Sequence, residues 1–334
     1  MAKDYFIIEH EGHIVPDEEM KDWLSPTPDP EYKRFMASTG YIHRITRMDQ
    51  AAMAKMMAAM APGATRKPQP DATIDIMDAA GLDVAMVVPH WHTLHMNVPH
   101  KGTSNDWVLE ACAKYPDRLM PGPVFRPSIV GIKETMREME KLVTKHGVKY
   151  CKIYPPGEKW GMSDERYWPI YSLAQEMGLV IAFHTGHGYV YGANTPAGNP
   201  RHLEEVCRNF YDLKILAFHM GWPWQDDLNC IAGCYPNLYI GMSFINQMVV
   251  NRPRFFAKLL GEAIMFAGVD KLIYSNDGLG PSLGMCINDF RNFQFSEGLQ
   301  ADYGYKPLTT EDKAKIFGLN FAKLIGIEPR KRVD

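Results

Sequence analysis

Glu9, His10, Glu11 and His13 fall inside the stretch YFIIEHEGHIVPDEE at residues 5–19, where an apolar strand runs directly into charge. Charge at the end of an apolar run costs desolvation free energy unless something pairs with it. Carboxylates and imidazoles together are donors for a divalent metal ion. Period-two alternation puts Glu9, Glu11 and His13 on one face and His10 on the other. Four later apolar runs also end in polar groups: Lys152 in YCKIYPP, His184 in AFHTG, His219 in AFHMG and Asp277 in SNDG. A buried lysine beside such donors can serve as a neutral or carbamylated ligand, because burial disfavours its charged form. Taken singly, each residue has a plainer reading: a hydrogen-bonded strand-end histidine, a paired lysine, a turn aspartate. Taken together, donors at the ends of several distinct strands point to one shared cation.

The elements that must position these groups read as eight short apolar strands, most followed by an amphipathic helix. The strands lie in YFIIEHEGH, GLDVAMVVPH, DRLMPGPVF, VKYCKIYPP, LVIAFHTG, LKILAFHMGW, NLYIGMSF and KLIYSNDG. Runs apolar on both faces, such as LVIAF and LKILAF, fit a buried parallel sheet. Eight strands favour an α/β fold of the (β/α)8 TIM-barrel type, and no GxGxxG follows a strand to suggest a dinucleotide site. In such a barrel the C-terminal strand ends converge on one mouth. Ser104 or Asn105 is the expected cap of the helix in SNDWVLEACAKYP, Ser163 that of the helix in SDERYWPIYSLAQEMG, and Gly147 closes the helix before VKYCKIYPP. No linker divides residues 1–334. A loop and helix insertion is expected at about 17–70, including a Met-rich helix within 48–63 that fills a core or subunit interface.

Length and charge bound the function. The chain has 334 residues, 36 basic and 39 acidic, for a net charge of −3. Neither sign dominates, so nucleic acid and anionic membrane are not expected partners. The start lacks the long apolar core of a signal peptide, and no apolar run reaches membrane-span length. The six cysteines form no CxxC pair and mostly sit in apolar runs. They read as reduced, buried thiols of a cytoplasmic protein.

At these motifs the sequence resembles the amidohydrolase superfamily, in the branch of aminocarboxymuconate semialdehyde decarboxylase and the dihydroxybenzoate decarboxylases. EHEGHIVP resembles the branch's opening acidic-x-His-x-His motif, with Glu11 in place of the first His. SNDWVLEACAKYPDRLMPGPVF, AFHTG, LKILAFHMGW, YPNLYIGMS, LIYSNDG and the terminal LTTEDKAKIFGLNFAKLIGI follow in the family's order. The resemblance implies metal ligands at Glu11, His13, His184 and Asp277, with His219 beside the metal handling protons. Lys152 stands where dinuclear members carry a bridging carbamylated lysine, so the full set of Glu11, His13, Lys152, His184, His219 and Asp277 could hold one or two ions of Zn, Mn or Fe.

The expected chemistry is decarboxylation or hydrolysis of a small carboxylate or aromatic acid. In decarboxylation, His219 or Asp277 protonates the carbon that loses CO2. In hydrolysis, Asp277 accepts the proton of the attacking water. His92 in PHWHTLH, Arg126 after the third strand and His187 beyond His184 are candidate substrate contacts. Two competing readings keep the barrel. One is a dinuclear Fe or Mn/Fe oxygenase resembling 2-aminoisobutyrate hydroxylase. The other is a non-catalytic subunit paired with a related chain. A homo-oligomer or such a hetero-oligomer is expected.

Overall fold

The computed structural model of the protein describes residues 5–17, 67–89, 103–188, 192–280 and 282–333. Most of the expected insertion, the Met-rich helix and His92 lie outside the described residues. Nine strand segments run in chain order: β1(Ile8–Gly12), β2(Val84–Val87), β3(Leu119–Pro121), β4(Val124–Phe125), β5(Tyr150–Ile153), β6(Val180–Phe183), β7(Lys214–Ala217), β8(Leu238–Gly241) and β9(Leu272–Ile273). All pair in parallel, β1-β2-β3 in one ladder and β4 through β9 in order in another. β3 and β4 are two halves of one barrel strand. Gly122 N–H still donates to Val87 O on the β2 side, at 2.9 Å, while Pro123 O already accepts from Lys152 N–H on the β5 side, also at 2.9 Å. Pro123 has no N–H to continue the ladder, so pairing changes sides there. The nine segments therefore occupy the eight positions of the TIM barrel.

Alternation sorts the core into two layers. Ile8, Val84, Val124, Tyr150, Ala182 and Leu216 form an inner cluster. Ile7, Ala85, Cys151, Ile181 and Ile215, their neighbours along the strands, pack outward against the helices. Lys152, Ala182 and Leu216 are cross-strand partners in register. This places the functional groups just beyond them at the barrel mouth.

The helices stop and start where local chemistry demands. Ser104 caps helix Asn105–Lys114 by accepting from Trp107 N–H. Helix Ile132–His146 buries Thr135, Met139 and Leu142 and ends at Gly147, whose φ of 63° suits glycine. Contrary to the sequence expectation, Ser163 is not the cap where the next helical segment opens, at the short turn Glu165–Tyr167. Asp164 accepts from Arg166 N–H instead, and Ser163 Oγ bonds His202 Nδ1 at 3.0 Å. Asp164 lies one residue nearer the turn, where its side chain reaches the free N–H. The terminal helix is interrupted by a π-helical turn at Lys315–Leu319, and Asn320 then holds Val269 O and Leu272 O at 2.9 and 2.8 Å, fixing the entry to β9.

The expectation that the thiols are buried needs correction at two of them. All six thiols are free, but Cys230 and Cys234 are exposed. They lie four apart on helix Gln225–Cys234, on one outer stripe that the surrounding apolar letters disguise. Among the described residues, no helix is long and apolar enough to cross a membrane.

Candidate metal centre

Five of the six expected ligands carry donor atoms that converge at the mouth. Glu11, His13 and Asp277 form one group, and Glu11, His184 and His219 a second; within each, the donor atoms lie within 4.8 Å of one another. Lys152, the sixth, reaches the same place through Glu11. Its Nζ donates to Glu11 Oε1 and stands over the Phe218 ring, 5.1 Å from its centroid. Glu11 is thus the hub. Its Oε2 is buried and has no hydrogen-bond partner.

The first strand does not alternate as expected. The β1–β2 register shifts between Glu9 and Gly12, a bulge that inserts one residue. Glu11 and His13 still meet, with His13 Nε2 3.7 Å from Glu11 Oε1 and 3.6 Å from Asp277 Oδ1. Glu9 does not share their face. Its carboxyl turns across to the segment after β9, accepting from Ser275 Oγ, from Asn276 N–H at 2.7 Å and from Glu11 N–H at 3.0 Å. His10 packs beside the inner cluster, 4.7 Å from the Phe218 ring and 5.8 Å from Phe321.

Backbone strain marks the same region. The non-glycine residues with positive φ among those described are His219 and Met220 after β7, Phe244 after β8, and Asp277 after β9. Such conformations persist only where surrounding structure holds them. Leu216 and Phe218 face inward, so alternation alone would turn His219 out. The left-handed turn at φ 56° brings it back, with Nε2 2.9 Å from His184 Nδ1. Ser243 holds the other nitrogen, Nδ1, with its carbonyl at 3.2 Å and its Oγ at 3.1 Å. His184 Nε2 meets His187 O at 2.9 Å, and Tyr154 lies edge-on to the His184 ring at 4.3 Å.

The charges separate sharply. Burial opposes the Glu11 carboxylate, but the Lys152 ammonium and His219 outweigh it and hold Glu11 well below the ordinary carboxylate range. Burial also opposes a charged His13, yet the carboxylates of Asp277 and Glu11 lift it to about 9. Burial, reinforced by His219 and Lys152, drives His184 far down, which keeps it neutral as a ligand must be. Burial lowers His10 to about 3. It pushes Glu9 up to about 8, against the three donors that favour its ionised form.

The proposed substrate contacts stand further out. Arg126 follows β4, half-buried, with its Nε buried and unbonded; burial lowers its pKa. His187 lies beside His184 and is also lowered by burial. Sequence reasoning missed Ser243, Ser275 and Tyr154. Serines and tyrosines near strand ends are too common to single out, and only contact reveals their use.

The amidohydrolase family profile matches residues 42–327. The chain belongs to the amidohydrolase family. A 98-residue segment of this amidohydrolase is 24% identical to Protein fluG of Emericella nidulans; the match covers 29% of the chain and 11% of that protein's length. Three solved structures share its fold. An uncharacterized TIM-barrel protein of Bordetella bronchiseptica matches with a TM-score of 0.66 at 18% identity, covering 96% of this chain and 98% of that one. The 5-carboxyvanillate decarboxylase of Sphingomonas paucimobilis gives 0.62 at 16% identity, over 97% and 100%. The dihydroxybenzoic acid decarboxylase of Polaromonas sp. JS666, with bound manganese and the inhibitor 2-nitroresorcinol, gives 0.60 at 16%, over 96% and 97%. The expected (β/α)8 architecture and membership of the amidohydrolase family are borne out.

Proposed function

We propose that this amidohydrolase is a metal-dependent enzyme that decarboxylates or hydrolyses a small carboxylate or aromatic acid. The observation that carries it is the pair of three-donor groups sharing Glu11 at the barrel mouth. A cation fits there because Glu11 Oε2 is buried without a hydrogen bond, with His219 Nε2 no nearer than 4.0 Å, and a carboxylate oxygen left so is costly. Glu11, His13, His184 and Asp277 would hold the ion, with His219 adjacent. Mixed oxygen and nitrogen donors suit manganese, which the compared Polaromonas enzyme binds. A bound divalent ion supplies positive charge for a substrate carboxylate or phenolate and acidifies coordinated solvent.

The chain's own residues do the remaining work. Asp277, whose side chain is 23% exposed, is the ligand open enough to exchange a proton with substrate. His219 lies between Ser243 and His184, a position that can deliver a proton and replace it from the chain behind. Arg126 and His187 are assigned to an anionic part of the substrate, and His92 by its place in the sequence. Six free thiols suit a reducing, cytoplasmic setting. An oligomer is part of the proposal.

A second reading is favoured by one observation. Glu11 belongs to both donor groups and touches Lys152, so carbamylation of Lys152 would complete a two-ion site of the kind an Fe or Mn/Fe oxygenase uses.

Elemental analysis of the purified protein, with anomalous scattering at the site, separates these readings. One manganese or zinc per chain, with CO2 release from a hydroxybenzoate, supports the first. Two iron or manganese ions with O2 uptake supports the second. A chain that takes up no divalent ion after reconstitution sinks both. Unchanged turnover in a folded Asp277→Ala variant would sink both readings of this site.

A further inference from the structure

We infer that Glu9 is a positioning residue that clamps the open seam of the barrel, so that ligands carried on β1 and after β9 meet at one point. This rests on the metal reading of the site. Among the described residues no main-chain ladder joins β9 to β1. Yet Glu11 and His13 come from one side of that gap and Asp277 from the other. Glu9 spans it with both oxygens. Oε1 accepts from Ser275 Oγ and from Glu11 N–H at 3.0 Å, and Oε2 accepts from Asn276 N–H at 2.7 Å. The side chain is fully buried, so water does not stand in for any of these partners.

The clamp continues to the ligand itself. Ser275 Oγ accepts from Asp277 N–H at 3.2 Å, and Asp277 is held at φ 64°. A left-handed aspartate is not a default state and needs outside restraint. The chain of contacts Glu9–Ser275–Asp277 supplies it, while the Glu9–Glu11 bond fixes the other end. Releasing Glu9 would let the 275–277 segment move away from His13, which now stands 3.6 Å from the Asp277 carboxylate.

The test uses Glu9→Gln. Each Glu9 oxygen accepts a backbone N–H, so an amide of the same size must turn its NH2 against one of them, whichever way it flips. Mn2+ affinity is measured by titration of the metal-free full chain, alongside thermal unfolding. A roughly 10- to 100-fold loss of Mn2+ affinity is expected, the range seen when groups orienting metal ligands are altered. Ser275→Ala should show a loss in the same direction, and Ser275→Thr, which keeps the hydroxyl, should restore near-normal affinity. A purely structural Glu9 would lower the unfolding temperature and leave the affinity of the folded fraction within twofold of the parent, which overturns the inference. If the parent itself binds no Mn2+, the metal reading fails separately. The crystal structure of the Glu9→Gln variant then decides: Asp277 displaced from His13 supports the clamp, and an unmoved Asp277 overturns it.

Discussion

Lys152 Nζ donates to Glu11 Oε1, and both side chains are only 1% exposed. A buried ion pair is costly to break from one side, because the remaining charge has neither partner nor water. The pair is also the chain's own cation at a site that collects anionic donors. Replacing Lys152 by Met should therefore destabilise the metal-free protein by about 3–5 kcal/mol. Saturating Mn2+ should return part of that loss, since the ion substitutes for the ammonium. Urea unfolding with and without metal reads both effects, and a loss below about 1 kcal/mol would contradict the pairing.

His13 gives a pH dependence of definite sign. Its folded-state pKa of about 9 lies above its ordinary 6.5. In the metal-free protein its charged form therefore adds stability that is fully present below pH 6.5 and is lost as pH rises through about 9. A metal ion competes with that proton, so Mn2+ affinity should climb over the same range. Titrations at pH 6, 7, 8 and 9 on the parent and on His13→Asn check it. An equal slope in both proteins would assign the effect elsewhere.

Asp277→Asn should keep the fold and lose the ion. Asparagine tolerates the left-handed backbone that residue 277 adopts, so strain is not added. What disappears is a carboxylate oxygen near His13. Elemental analysis should show substoichiometric metal in a variant whose circular dichroism is unchanged, and full metal content would remove Asp277 from the ligand set.

Gly241 is required by His10. A Cβ at 241 would come within 2.7 Å of His10 Nε2. Gly241→Ala should cost about 1–3 kcal/mol through overpacking. Adding His10→Ala should relieve the clash, giving a non-additive double-mutant cycle. Simple additivity would mean that the two residues do not touch.

Asp83 ties the chain's end to its beginning at the foot of the barrel. Fully buried, it accepts from Ile7 N–H at 2.9 Å, Arg332 N–H at 2.7 Å and Lys331 Nζ at 2.8 Å. Asp83→Ala leaves these donors without their acceptor and should cost about 2–4 kcal/mol. Deleting residues 331–334 in addition should cost less than it does in the parent, because the strap is already released. Chemical denaturation of the two single changes and the pair measures this.

The sequence by itself determined the architecture and which polar groups end the strands. Eight short apolar runs alternating with amphipathic helices specify a parallel barrel, because strands buried on both faces need helices outside them. Polar residues that end those runs, Glu11, His13, Lys152, His184, His219 and Asp277, must gather at one mouth once the barrel forms. Tertiary structure decided what local periodicity cannot carry. A bulge in β1 separates Glu9 from Glu11 and sends it across the seam. A left-handed turn reverses the expected facing of His219. Ser243 and Ser275 acquire their roles through contacts 24 and 266 residues away in sequence. Alternation and capping are properties of neighbouring residues, whereas these placements depend on which distant strand end lies alongside, and that is fixed only when the chain closes on itself.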